Sequence, residues 1–260
     1  MLEDPFHRVE DIKNAVTFLS LRDEVDAERI GALGICASGG YVMPAAATDH
    51  RIKAVATVSA ADEGSVFRDG LGRVQSPEVL QGMLDEAAVA RIEEAQGRPP
   101  RRQQIHQETG EEERALGQHT YDGWQHGEQA RALGQHAYDG WEYYRTPRGH
   151  HPRSENYFVL RSIDLLAQFN AFDLIHLISP RPLLMIAGTE AASAYLSQEA
   201  IEKAQQPKEL FWIDGATHVD LYDKKEYLPI AAAKLAGFFD AHLGGTKSDH
   251  RQDRTHQTVA

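Results

Sequence analysis

A chain of 260 residues, 42% of them hydrophobic and 25% charged, can bury one sizeable core, or one core with a lid. Its formal net charge of -12 argues against nucleic acid or an anionic membrane as partner, because phosphate repels an acidic surface. One cysteine rules out an internal disulfide and no apolar run spans a bilayer or forms a signal core, so the cytoplasm is the expected compartment.

Residues 8–22, RVEDIKNAVTFLSLR, place Val9, Ile12, Val16, Phe18 and Leu19 at roughly helical spacing. The run from Ile30 to Ile35 is short, apolar and interrupted by glycine, and reads as a buried strand. Gly39-Gly40 and the following YVMPAAA read as a helix packed closely against it. Ile52 to Ala60, rich in valine, reads as a second buried strand. Strand, tight turn, helix and strand form a βαβ unit, and such a crossover requires a parallel sheet.

Residues 62–161 lose this regularity and read as a lid or insertion, with amphipathic stretches such as PEVLQGMLDEAAVARIEEA. GRPPRRQQIHQETGEEER, with its prolines and dense charge, reads as a mobile loop. RALGQHTYDGW begins at Arg114 and RALGQHAYDGW at Arg131; two copies are too few for a solenoid, so this is a local duplication. The histidines here (His106, His119, His126, His136, His150 and His151) lack the short convergent spacings of a metal site. They read as a solvated, duplicated loop, and neither metal nor cofactor is expected. The repeated Tyr-Asp-Gly-Trp either touches substrate or, through Trp124 and Trp141, pins the loop to the core.

Order returns at Ser179. PRPLLMIAGT is an apolar strand ending in Gly188, SQEAIEKA is helical, and KELFWIDG is a further strand ending at Asp214-Gly215. ATHVDLYD follows, then an amphipathic helix from about Tyr227 to Leu243. The polar stretch 245–260 is expected to be disordered. The fold class is therefore α/β, a mostly parallel sheet flanked by helices. Its core is drawn from residues 1–61 and 162–244, and 62–161 form an irregular lid.

Gly34-Ile35-Cys36-Ala37-Ser38-Gly39-Gly40 lies between the first strand and its helix. A nucleophile on such a strained turn needs small residues two positions away on each side, because the backbones pack tightly there. With Cys36 as nucleophile these are Gly34 and Ser38; with Ser38 they are Cys36 and Gly40. Cys36 is preferred, since Ser38 lies a further half-turn past the strand. A thiol at a helix N-terminus gains from the macrodipole, which favours thiolate. The N–H of Ala37 would supply half of an oxyanion hole. No P-loop occurs, and the turn lacks the G-x-G-x-x-G pattern of a dinucleotide site.

RIGALGICASGGY resembles the elbow of the α/β-hydrolase superfamily, and its cysteine is similar to that of the dienelactone-hydrolase-like branch. The resemblance runs from about residue 8 to residue 243 in order of elements and is weak across 62–160. It implies hydrolysis of an ester, thioester or lactone in a small-molecule substrate through a covalent acyl-enzyme, with no cofactor. It also implies that His218, in DGATH just beyond a strand, is the general base. The family's acid stands in a pattern like G-x-x-D after the penultimate strand, a position that here holds Ala191. Glu190, one residue earlier, is the first candidate for the acid and Asp62 the second; Asp220 is too close to His218 in sequence to orient its ring easily.

The family places several strands before the elbow, and its second oxyanion N–H comes from a loop among them. Only one helix precedes Cys36 here, so the chain is expected to be a fragment, a degenerate product, or one whose sheet another chain completes. An uncovered sheet edge predicts poor solubility or homo-oligomerisation. Two other functions stay open. One is a truncated, inactive homologue acting as a binding or scaffold protein; the other is a serine peptidase of the same superfamily using Ser38.

Overall fold

The computed structural model describes residues 2–119 and 127–244, and the side chains of 116–119 and 127–132 fall outside that description. The expected disordered tail, the His119 and His126 side chains and the first copy's Tyr-Asp-Gly-Trp therefore lie outside the described residues.

Helix α1 (Pro5–Ser20) starts where proline fixes the first helical φ and the Asp4 carboxylate accepts the N–H groups of Phe6 and His7. Strand β1 (Ile30–Ile35), helix α2 (Ala37–Thr48) and strand β2 (Ile52–Val58) then form the anticipated βαβ unit, with β1 and β2 parallel. Helices α3 (Glu63–Asp69) and α4 (Pro77–Ala95) open the insertion. It continues through strand β3 (Arg102–Gln104), helices α5 (Gly110–His119) and α6 (Gly127–Arg145), and strand β4 (Tyr157–Val159). Helix α7 (Ser162–Gln168), strand β5 (Leu183–Gly188), helix α8 (Ala194–Lys203) and strand β6 (Lys208–Ile213) return the chain to the core. Two helices close it, the short α9 (Asp220–Asp223) and α10 (Leu228–Leu243).

The main sheet is wholly parallel, in the order β1-β2-β5-β6. Side chains alternate along β2 and β5, so the sheet has two buried faces. Val55, Leu183 and Met185 face a core with α1, α2 and α8; Ala54, Ala56, Leu184 and Ile186 face Phe238 and Ala231 of α10. Fully burying a leucine or isoleucine in these layers contributes about 1.5–3 kcal/mol each. Among the described residues β1 is an edge of this sheet, and Leu33 and Ile35 on it are exposed.

The insertion carries more regular structure than its polar sequence announces. Arg102–Gln104 lie in the stretch read as a mobile loop, yet they pair antiparallel with Tyr157–Val159. Asn156 secures the next residues, its side chain accepting from His106 N and donating to His106 O. The charges of this stretch sit on side chains that stay in water while its backbone is paired, so composition alone misleads here. Ala87, Ala90 and Leu160 form a small cluster with Ile163 of α7, packed with Phe67, Met83 and Leu84. Among the described residues no helix is long and apolar enough to cross a membrane.

Candidate active site

The parallel sheet delivers the loops after β1, β2, β5 and β6 to one end, where ligand sites of α/β folds form. Cys36 is the hinge between β1 and α2, at φ 57° and ψ -126°. A positive φ in a residue with a side chain is strained and persists only where its surroundings fix it. They do so here, because Cys36 N donates to Val58 O at 3.1 Å and Cys36 O accepts from the N–H groups of Gly39 and Ala61. A Cβ on Gly34 would stand 2.3 Å from the Ser38 carbonyl oxygen, and one on Gly40 2.2 Å from that of Ala61, so this turn tolerates no bulk.

The thiol, and not the Ser38 hydroxyl, is what the turn presents. Ser38 lies in the first turn of α2 and donates back to Ile35 O at 2.7 Å. Cys36 Sγ faces Nε2 of His218 at 3.4 Å. His218 stands beyond β6, on a loop whose turn uses Gly215 at φ 74°. That loop runs against the one after β5. Glu190 N donates to Ala216 O, and a Cβ on Gly188 would be 2.1 Å from the same oxygen. The carbonyl of His218 accepts from the buried Ser59 hydroxyl at 2.8 Å, and Thr217 N donates to Asp220 at 3.1 Å.

No family model matches the chain. It is 36% identical over 244 residues to the uncharacterized protein PA2218 of Pseudomonas aeruginosa, covering 92% of this chain and 59% of that protein. Against the uncharacterized protein YcjY of Escherichia coli K12 the identity is 33% over 244 residues, covering 93% of this chain and 73% of that one. The chain belongs to the family of these two proteins. Its fold is that of the α/β-hydrolases. The crystal structure of PA2218 matches it with a TM-score of 0.78 over 93% of this chain and 69% of that one, at 35% identity. The α/β hydrolase GrgF from Penicillium sp. sh18 matches with a TM-score of 0.71 at 20% identity, over 94% of this chain and 74% of that one. The chain thus spans less than two thirds of the length of PA2218.

Nδ1 of His218 meets neither of the carboxylates considered from the sequence. Ser193 is there instead, its Oγ 2.5 Å from Nδ1, and both residues are buried. Ser193 stands at the N-cap of α8 but makes no cap hydrogen bond with its side chain, which turns to the imidazole. Glu190 is exposed, and the buried residues of its loop are Ala191, at the position expected for the acid, and Ser193. Asp62 caps α3, accepting from Gly64 N and Ala171 N at 3.1 and 3.2 Å, and is committed to that structural role. Asp220 holds the His218 loop through Thr217 N and pairs with Lys224 and Arg148.

His136, on α6, packs edge-on against His218 with ring centroids 5.2 Å apart. It belongs to the second repeat copy, so the reading of that histidine as solvated is corrected. An amphipathic helix has half-buried it against the His218 ring. Tyr222 of α9 lies edge-on to the His218 ring at 5.8 Å, and Tyr143 lies edge-on to Tyr222 at 5.2 Å. The Tyr222 oxygen is buried and has no hydrogen-bond partner among the described residues. A cavity of about 860 Å³ opens beside the thiol, lined among others by Cys36, Ala37, Glu63, Phe67, Tyr144 and Phe158. Nothing in the sequence singled out Ser193, Tyr144 or Tyr222, because no motif contains them. Among the described residues no group of three or more histidine, cysteine, aspartate or glutamate side chains is arranged to hold a metal.

Burial dominates the electrostatics. Desolvation, then the nearby Glu63 carboxylate, pushes the Cys36 thiol up to about 11. The thiolate expected from the helix macrodipole alone is thus not the resting form. Desolvation and then His136 push His218 down to about 3. Desolvation and then Asp62 and Glu3 hold Glu63 up at about 7. The resting pair is a neutral thiol facing a neutral imidazole.

Proposed function

We propose that the chain hydrolyses an ester, thioester or lactone of a small molecule through a covalent acyl-thioenzyme on Cys36. The supporting observation is the 3.4 Å contact between Nε2 of His218 and a thiol held on a positive-φ elbow. As Sγ attacks the acyl carbon, its proton passes to Nε2 and the carbonyl π pair moves onto oxygen, facing Ala37 N–H. The tetrahedral adduct collapses, the C–O or C–S bond to the leaving group breaks, and the imidazolium returns the proton to that group. Water then attacks the thioester, its proton goes to Nε2, and the carboxylic acid and the free thiol are released. Nε2 accepts a proton only if Nδ1 carries one, so Ser193 Oγ acts as hydrogen-bond acceptor and fixes that tautomer.

The cysteine at the elbow, with Gly34 two positions before it, supports the dienelactone-hydrolase-like branch as the place of this chain within the superfamily. A chain without disulfides and with a thiol at its centre suits the cytoplasm. The second reading, an inactive member that binds without turnover, is favoured by one observation: among the described residues no carboxylate is hydrogen-bonded to His218, whose Nδ1 meets Ser193. Incubation with a p-nitrophenyl acyl ester and intact-mass analysis separates the two. An acyl adduct present in the wild type and absent from Cys36→Ala supports the hydrolase. A folded wild type with no adduct supports the binding protein.

A further inference from the structure

We propose that His106 is a substrate-binding residue whose Nε2 hydrogen-bonds a hydroxyl group on the molecule that acylates Cys36. This names a substrate class for the acyl-thioenzyme reading above and rests on it. His106 lines the same cavity as Cys36. It lies between β3 and α5, and its position is fixed from several directions. Nδ1 faces Oε1 of the buried Glu113 at 3.0 Å. The other carboxylate oxygen of Glu113 accepts from Gln107 N at 2.7 Å, so the acid is itself held in place. Asn156 clasps the His106 backbone at its N–H and its carbonyl, at 2.9 and 2.7 Å. Tyr144 stacks on the imidazole, with ring centroids 5.7 Å apart and planes 20° from parallel.

One polar atom of the ring is left unengaged. A carboxylate only accepts, so Nδ1 carries the hydrogen, and Nε2 has no hydrogen-bond partner among the described residues. A carboxylate behind an imidazole holds the ring in one tautomer and one orientation. Here the oriented ring lines a cavity beside the nucleophile, where a few placed polar groups set specificity. A hydroxyl matches Nε2 in either charge state of the ring, donating to the imidazole and accepting from the imidazolium. The charged residues lining the cavity balance, Glu3, Glu63 and Glu155 against Arg8, Arg145 and Arg153, which favours an uncharged ligand over an anion or a cation. Ile35, Phe67, Phe158 and Leu166 give it apolar walls. A molecule without the hydroxyl would cover Nε2 and leave it unpaired, and that difference is the basis of selection. His106 acts on binding, while proton transfer stays with His218.

The test uses the full chain and two pairs of p-nitrophenyl esters, hexanoate with ω-hydroxyhexanoate and phenylacetate with para-hydroxyphenylacetate. In at least one pair the hydroxylated ester is expected to have a kcat/KM about tenfold higher in the wild type, the order of one hydrogen bond. His106→Asn keeps a donor toward Glu113 and removes Nε2, so the ratio should fall to about one. His106→Gln sets an amide near the place of Nε2 and should restore part of it. A wild-type ratio of about one in both pairs, or a ratio that His106→Asn leaves unchanged, overturns the proposal. The neutral amides of the same acids give a readout without turnover. In at least one pair the hydroxylated amide should bind about tenfold more tightly than the plain one and shift the His106 ring resonances in NMR titration. Such binding, with no acyl adduct on Cys36 from any ester, would overturn the acyl-thioenzyme reading and support the His106 site. Equal binding of plain and hydroxylated amides would overturn the site itself.

Discussion

The Ser193 hydroxyl occupies the place at Nδ1 of His218, 2.5 Å away, where a triad carries its carboxylate. A hydroxyl fixes the tautomer but brings no charge to stabilise the imidazolium that forms during proton transfer. Ser193→Ala leaves the buried Nδ1–H unsatisfied, at about 1–3 kcal/mol, and is expected to slow acylation. Ser193→Asp places a carboxylate against the ring. His218 should then titrate well above its present value of about 3, and acylation at neutral pH should quicken by about tenfold or more. Histidine NMR titration and burst kinetics check both, and an aspartate variant with neither change would show that the third position does not limit this site.

The sequence made the βαβ unit and the elbow legible because both depend on local constraints: apolar runs of strand length, and a turn that admits no side chain at Gly34. His218 was legible through its place after the last strand. The groups around it were not. Ser193 reaches Nδ1 because two loops run side by side after β5 and β6, and the Ala216 carbonyl and the Thr189 hydroxyl that join them set that register. His136 and Tyr144 arrive on α6, a helix whose polar composition hides the side it turns toward the site.

The neutral resting pair has a pH signature. With the thiol near 11 and the imidazole near 3, the thiolate population rises about tenfold per pH unit through the neutral range. The rate of alkylation of Cys36 by iodoacetamide should climb with that slope from pH 6 to pH 9 (about three decades). A plateau across this range would instead reveal a preformed thiolate–imidazolium pair, which the burial of both groups opposes.

His136 makes acid stability depend on the insertion. Burial, then His106, holds it down at about 4, so between pH 6.5 and 4 the unfolded chain binds a proton that the folded chain refuses. Stability therefore falls as pH falls through that window, and His218, held down at about 3, acts in the same sense. Glu63 acts oppositely. Its ordinary value is 4.5 and its folded value about 7, so between them the folded chain keeps a proton that the unfolded one releases. Because these contributions overlap, the measurement is a difference. His136→Gln should lose about 1–2 kcal/mol less stability than wild type between pH 7 and pH 4.5. Parallel urea midpoints for the two proteins across that range would show that His136 does not carry the effect.

Arg148 is the fork that holds the insertion to the base's loop. It donates to both oxygens of Asp223 at 2.9 and 2.8 Å, to Glu142 at 2.9 Å, and reaches Asp220 at 3.5 Å. Asp220 is buried and in turn receives Thr217 N–H, one residue before His218. Breaking such a partly buried network by removing the cation strands its carboxylates and costs about 3 kcal/mol. Arg148→Ala should therefore lower the midpoint of unfolding and raise hydrogen exchange in residues 217–223. It should also slow acylation, because the base and the Tyr222 ring both lose their support. Arg148→Lys, which keeps the charge but not the planar fork, should recover only part of each. Full recovery by lysine would mean that charge alone holds the insertion, and unchanged exchange in 217–223 would mean that the His218 loop stands without it.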